Sequence, residues 1–330
     1  MNTADEANHI KHIIVLIGAG ELGSRHLQSL VRIGPATKIT VLELSEDAVL
    51  LARERMSEIA EISDFVAKVE FVKALEQLPA SIDLAVIATG AAPRMDILRR
   101  LLVHSRVKYM LLEKVLFQNL DEYEEASVLL ENLGIEAWVN CPRRMFNGYG
   151  ALKLQLDLKQ PIEMRVKGGE WGLACNAIHY IDIFAFLTGS CVQSVDVENL
   201  ESTIYPSKRS GYVEFFGSMS VQFENGHKLV LDCSHDQTAC LISIVDSEGL
   251  YDIDESSGMV LKNAQKTNIT IISINQSDLT QVFAEQVLAF GRSNLTTYTE
   301  SSALHQPFIS SLLSFYNEKN KIQITSLPIT

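Results

Sequence analysis

The sequence predicts a two-domain α/β protein: a doubly wound parallel sheet first, then a second α/β domain with an open, mainly antiparallel sheet. Three observations predict it. Residues 12–139 alternate continuous apolar runs with amphipathic stretches, the rhythm of parallel strands covered by helices on both faces. Beyond about residue 160 the pattern changes to strand-like runs joined by turn dipeptides. A chain of 330 residues that is 47% apolar is also long enough for two cores.

The runs of the first half are His12–Ile17, Ile39–Leu42, Val69–Val72, Leu84–Ala88, Tyr109–Leu112 and Ile135–Val139. Helical stretches separate them, among them Leu22–Ile33, Glu46–Glu61 and Asp121–Leu133, the last closed by Gly134 as a C-cap. In the second half, Val213–Phe223 and Lys228–Cys233 flank Asn225-Gly226, a strong hairpin signal. Ala239–Val245 and Leu250–Ile253 flank Glu248-Gly249, and Asn268–Ile274 adds another β-rich run. One helix precedes these strands (176–187, closed by Gly189) and two follow (279–290 and 302–316). No repeat or low-complexity linker interrupts the chain. The expected boundary is short and lies near Cys141-Pro142, dividing residues 1–140 from 141–330. The final helix is a candidate to pack back on the first domain.

Composition excludes several classes. With 28 Lys plus Arg against 41 Asp plus Glu, the formal charge is −13, which repels a phosphate backbone, and no nucleic-acid partner is expected. No apolar stretch approaches the roughly 20 residues needed to cross a bilayer, so no membrane partner is expected either. The opening residues lack the layout of a secretory leader. The five cysteines are an odd number with no C-x-x-C pair. Reduced thiols and a cytoplasmic location are the expectation. Cys233, His235 and Cys240 match no zinc spacing and lie in strand-like sequence, so no metal is expected.

The chemistry begins at the first strand, which runs into Gly18-Ala-Gly20-Glu21-Leu22-Gly23. In G-x-G-x-x-G the first glycine permits a tight turn and the second lets backbone N–H groups approach a pyrophosphate. The third lets the helix pack close to the strand, its N-terminus facing the anion. The second strand ends in Glu43, twenty residues beyond Gly23. A carboxylate there accepts ribose hydroxyls and repels a 2′-phosphate, pointing to NAD rather than NADP. Strand, glycine triplet, helix and acidic strand end together read as a Rossmann dinucleotide-binding domain. Glu21 and Leu22 join its expected cofactor contacts. Thr89 and Gly90, at the end of a later strand, belong there too, because ligands bind at the carboxyl ends of parallel strands. Glu113 is expected beside the cofactor as well.

Glu113-Lys114 closes the fifth strand. A lysine beside a cationic nicotinamide ring has its pKa lowered by burial and by like charge, which makes it a usable proton acceptor. Farther on, a glycine-rich segment leads through Cys175 and Asn176 to His179 and Asp182. If Asn176 caps the helix, His179 and Asp182 lie three apart on one face, where Asp182 can orient the imidazole.

These motifs resemble the Gfo/Idh/MocA oxidoreductases over nearly the whole chain. The resemblance implies a dinucleotide-binding domain joined to an α/β domain whose open sheet forms a homodimer or homotetramer interface. It implies hydride exchange between NAD(P) and a carbinol carbon of a small sugar or polyol. Lys114 is then the central acid/base and His179 a second proton-transfer group. Three residues depart from the family pattern. Val115 follows Glu113-Lys114 where the family has proline, Cys175 replaces a carboxylate four residues before His179, and Arg94 stands where many members carry histidine. With Arg143 and Arg144, Arg94 points to an acidic, amino- or nucleotide-linked sugar, and Cys175 and Asn176 complete the candidate substrate contacts. The alternative from another class is a non-catalytic dinucleotide-binding regulatory or scaffold protein.

Overall fold

The computed structural model describes residues 10–60 and 66–330. The opening residues examined for a leader and Glu61, the last residue of an expected helix, lie outside that range. The chain forms two compact units. The first takes the residues up to Glu113, together with Glu125–Asn140 and Ile274–Tyr298; the second takes Lys114–Glu124, Cys141–Ser273 and Thr299–Thr330. The chain thus passes between units several times rather than once near residue 141.

In the first unit, six strands form one parallel sheet: β1 (His12–Ile17), β2 (Thr37–Leu42), β3 (Lys68–Val72), β4 (Ser81–Ile87), β5 (Arg106–Leu112) and β6 (Glu136–Val139). Their order, β3-β2-β1-β4-β5-β6, reverses direction at β1/β4, so the carboxyl ends of those two strands bound the crevice in which such sheets bind ligands. The central strands are apolar on both faces because helices cover both. Ile14, Val15, Leu16, Leu84, Ala85 and Met110 are all fully buried. The helices are α1 (Glu21–Leu30), α2 (Glu46–Ala60), α3 (Arg94–His104) and α4 (Asp121–Asn132). Helix α1 ends three residues before the expected Ile33 and continues as one 3₁₀ turn.

In the second unit, α5 (Tyr149–Lys153) and α6 (Leu173–Thr188) accompany an eight-stranded sheet. Its strands are β7 (Glu163–Gly169), β8 (Val192–Asp196), β11 (Gly217–Phe223), β12 (Lys228–Ser234), β13 (Leu241–Asp246), β14 (Gly249–Asp254), β15 (Met259–Lys262) and β16 (Gln265–Thr270). The order is β16-β15-β14-β13-β7-β12-β11-β8, antiparallel throughout except for the parallel pair β7·β12. Asn225 and Gly226 turn the β11–β12 hairpin with positive φ of 62° and 80°, as their residue types foretold.

The expected strand Val213–Phe223 is broken. Its first two residues form β10 (Val213–Glu214), paired with β9 (Tyr205–Pro206) in a separate two-stranded sheet. Two long helices complete the chain, α7 (Gln276–Phe290) and α8 (Tyr298–Asn320). It is α7 that belongs to the first unit; α8, the candidate to pack there, belongs to the second from Thr299 onward.

Candidate active site

In the first unit, β1 feeds its turn into the N-terminus of α1. Gly18 has φ of +88°, a conformation that residues with a Cβ rarely adopt. A Cβ on Gly23 would lie 2.0 Å from the carbonyl oxygen of Gly18, so only glycine lets helix and strand approach this closely. Around Gly20, by contrast, a Cβ would meet nothing within 4 Å. The turn therefore has tight glycines where the backbone must close and open space where an anion would reach exposed N–H groups.

Glu43 follows β2 and reaches back over this turn. Its Oε2 accepts the N–H of Ala19 at 2.6 Å, and its Oε1 accepts those of Leu44 and Ser45 at 2.7 and 2.8 Å. Three backbone donors thus fix the carboxylate beside the glycine turn, in keeping with its expected place at the ribose. Beyond β4, the Thr89 hydroxyl is buried with no hydrogen-bond partner among the described residues. A buried hydroxyl left unpaired costs about 1–3 kcal/mol, and a ligand hydroxyl would relieve that cost. The glycine turn, Glu43 and Thr89 fit a dinucleotide. Leu22 lies in the first turn of α1, half-buried, and Gly90 follows Thr89. Glu21 is held by Arg55 at 2.6 Å.

Two residues expected at ligands have internal roles. Glu113 is buried, and its Oε1 accepts from His26 Nε2 at 2.8 Å and from Asn140 Nδ2 at 2.5 Å. His26 Nδ1 pairs with the Thr280 hydroxyl at 2.9 Å, and Asn140 also donates to Gln276 at 2.8 Å. This network ties α1, β5 and α7 together, and nothing local in the sequence announced it. Arg94 is fully buried at the start of α3 and donates to the Thr89 carbonyl. That contact turns its charge inward, away from the substrate role expected of it.

In the second unit, Lys114 is half-buried, and its Nζ donates to the Cys175 carbonyl at 3.0 Å. The Lys114–Val115 peptide is cis. Helix α6 starts three residues earlier than expected, because Gly172, in the left-handed region, begins it in place of Asn176. Asn176 lies within the first turn and donates to the Trp171 carbonyl at 2.6 Å. Burial pushes the Cys175 thiol up, so it stays protonated and neutral.

His179 is one turn farther along α6, and its Nδ1 is buried with no hydrogen-bond partner among the described residues. Burial, reinforced by the charges of Lys114 and Arg143 and by His305, holds its pKa well below 6.5. The imidazole is therefore neutral at pH 7 and keeps a lone pair able to take a proton.

The expected orienting role of Asp182 is not what the structure shows. Its carboxylate is held by Arg144 through two contacts, 3.0 Å to Oδ2 and 2.9 Å to Oδ1, while His179 Nδ1 has no partner. Arg144 arrives from a segment remote in sequence and takes the carboxylate into a buried ion pair with one hydrogen bond, from Nε to Oδ2. Arg143 is likewise engaged. It makes paired 2.9 Å bonds to Glu255 and lies 4.2 Å over the ring of Tyr180, while Tyr149 donates to the same carboxylate at 2.6 Å. Both arginines read as substrate contacts are thus spent inside the unit.

Sequence reasoning missed Glu214. From β10 its Oε1 accepts the N–H of Ala174 at 2.5 Å, in the first turn of α6, and that of Phe215 at 3.0 Å. Burial raises its pKa, which the nearby Lys114 charge opposes. The one available signal was a carboxylate inside the apolar run 212–216.

The sequence matches no protein-family model and no curated protein. Solved structures do match over nearly the full length. UDP-N-acetylglucosamine 3-dehydrogenase from Acidithiobacillus ferrooxidans is 14% identical with a TM-score of 0.69, covering 95% of this chain and 100% of its own. An oxidoreductase from Agrobacterium radiobacter, solved with NAD+, L-tartaric acid and magnesium, is 15% identical with a TM-score of 0.68, covering 93% and 97%. Scyllo-inositol dehydrogenase from Lactobacillus casei is 15% identical with a TM-score of 0.64, covering 94% and 97%. These similarities show a shared fold, which in this chain is a unit built on a six-stranded parallel sheet and a unit built on an eight-stranded mixed sheet.

Proposed function

We propose that the protein is an NAD-dependent oxidoreductase that transfers hydride between nicotinamide and a carbinol or keto carbon of a sugar-type substrate. The observation that carries this reading is the occurrence in one chain of a complete dinucleotide turn and a lysine two residues beyond the fifth Rossmann strand. Gly18, Gly20, Gly23, Glu43 and Thr89 would hold the cofactor, which when bound supplies the hydride acceptor or donor. Lys114 takes the hydroxyl proton when the carbinol is oxidised and returns it in the reverse direction. Neutral His179 assists by accepting or relaying that proton. The Lys114–Cys175 hydrogen bond holds Nζ at the start of α6, one turn from the imidazole.

The substrate is a neutral, hydroxyl-rich molecule rather than an acidic one. Arg143 and Arg144 have internal carboxylate partners and Arg94 faces the Thr89 carbonyl, so the positive charges first read for an acidic sugar are committed elsewhere. A homo-oligomer is also proposed. Leu241, Val245, Leu250 and Met259 leave 59%, 48%, 37% and 40% of their surfaces exposed on one face of the eight-stranded sheet, interspersed with Glu163, Arg165, Asp252 and Asp254, a mixed surface on which a second copy would pair apolar and charged groups.

Cofactor titration tests the nucleotide half of this reading. Glu43→Ala is expected to weaken NADH binding about tenfold, roughly 1.4 kcal/mol. It should also narrow any preference over NADPH, because the repulsion of a 2′-phosphate goes with the carboxylate. Fluorescence titration of both nucleotides checks this. Unchanged NADH affinity in the variant would place the ribose elsewhere.

A further inference from the structure

Glu214 enters the neighbourhood of Lys114 and His179 from outside the motifs that identify them. Its two carboxylate oxygens do different things. Oε1 caps α6, accepting from Ala174 and Phe215. Among the described residues, none donates a hydrogen bond to Oε2. A cap needs one oxygen, and neutral Ser, Thr or Asn serves that purpose without the cost of desolvating a charge. The second oxygen of a partly buried carboxylate is therefore unexplained by helix capping.

The surroundings of Oε2 favour a ligand. A Cβ built on Gly172 would come within 3.3 Å of Oε2 and 3.2 Å of the Cys175 sulfur. Carboxylate, thiol and the Asn176 amide nitrogen, the last at 3.2 Å from the same point, thus converge beside Gly172, where a side chain would be crowded and φ of +78° favours glycine. The Lys114 ammonium group donates to the carbonyl of that same Cys175. A second unpartnered polar atom, buried His179 Nδ1, lies one helical turn on. A thiol is a weak donor and a weak acceptor, so Cys175 offers a hydroxylated ligand little, whereas a carboxylate accepts strongly.

We propose that Glu214 is a substrate-binding residue, its Oε2 accepting a hydrogen bond from a substrate hydroxyl neighbouring the one that Lys114 deprotonates. The proposal rests on the hydride-transfer reading and deepens it. It defines the substrate as a neutral polyol or sugar carrying at least two adjacent hydroxyls, and it makes a carboxylate at that position repulsive.

Glutamine at this position separates the two roles. Glu214→Gln keeps a carbonyl oxygen for the two backbone N–H groups and replaces the free acceptor with an amide NH₂. With NAD⁺ and either scyllo-inositol or D-glucose, whichever the wild type oxidises, Glu214→Gln should raise KM at least tenfold. Its kcat should change less, and NADH affinity should stay within twofold. Adding Cys175→Asp to Glu214→Gln returns a carboxylate to the same space and should recover much of the lost KM. Wild-type KM and kcat in Glu214→Gln would overturn the proposal and leave Glu214 as a helix cap. If the wild type oxidises neither compound, the hydride-transfer reading is decided separately, by NAD⁺ reduction across further polyols and sugars. Calorimetric binding of the same two compounds to NADH-loaded protein then decides for Glu214. At least tenfold weaker binding in Glu214→Gln supports the proposal; equal binding, or none to the wild type, overturns it.

Discussion

Lys114→Ala is expected to lower kcat/KM by roughly 10³-fold, within the range that loss of a positioned acid/base group produces. NADH affinity is expected to remain within about twofold, because none of the residues assigned to the nucleotide changes. Steady-state rates on a substrate the wild type oxidises, with nucleotide titration on both proteins, measure the two quantities separately. The Nζ–Cys175 contact is one hydrogen bond to a backbone carbonyl, worth about 0.5–1.5 kcal/mol. A modest loss of thermal stability therefore accompanies the substitution without explaining the loss of rate. Full turnover by Lys114→Ala would remove the lysine from the mechanism.

Arg144→Ala is expected to be the most destabilising single substitution considered. Asp182 is fully buried and Arg144 nearly so, their side chains 0% and 9% exposed. Removing the guanidinium strands a buried carboxylate, which costs about 3–5 kcal/mol. For a unit of this size each kcal/mol is worth roughly 2–4 °C in Tm, giving a fall of about 6–20 °C. Pairing Arg144→Met with Asp182→Leu should recover much of that loss, because the unpaired charge is then gone. Urea denaturation of the two variants and the wild type distinguishes this account from the substrate role first read for Arg144. A loss below about 1 kcal/mol, the range of an exposed ion pair, would argue that Arg144 is available to a ligand.

How far the molecule was legible depended on how local each signal was. The glycine turn, Glu43 and the helix-ending Gly189 were readable because backbone geometry within a few residues demands them. The parallel sheet was readable because strands buried on both faces must be continuously apolar. Asn225-Gly226 was readable because two successive positive φ values nearly name their own residues. The partners of charged side chains were not. His179 and Asp182 do lie on one helix, but periodicity could not show that Arg144 would reach Asp182 first. Nor could it show that His26, in the helix after the glycine turn, would take Glu113 into a buried network.

Helix α6 shows the same limit at a boundary. Asn176 is a good cap by residue type, yet Gly172 starts the helix and Glu214, forty residues beyond Ala174, satisfies its first turn. Glu214 itself was hidden in an apolar run that looked like one strand. The break after β10 is set by pairing with β9, a contact with no local signature.

The central claim is hydride transfer, and one measurement addresses it directly: reduction of NAD⁺ by the purified protein, followed by nicotinamide absorbance, across polyols, neutral sugars, amino sugars, uronic acids and nucleotide sugars. Turnover is expected with at least one neutral class, polyol or sugar, and not with uronic acids. No reduction by any class, from a protein that binds NADH, would contradict it.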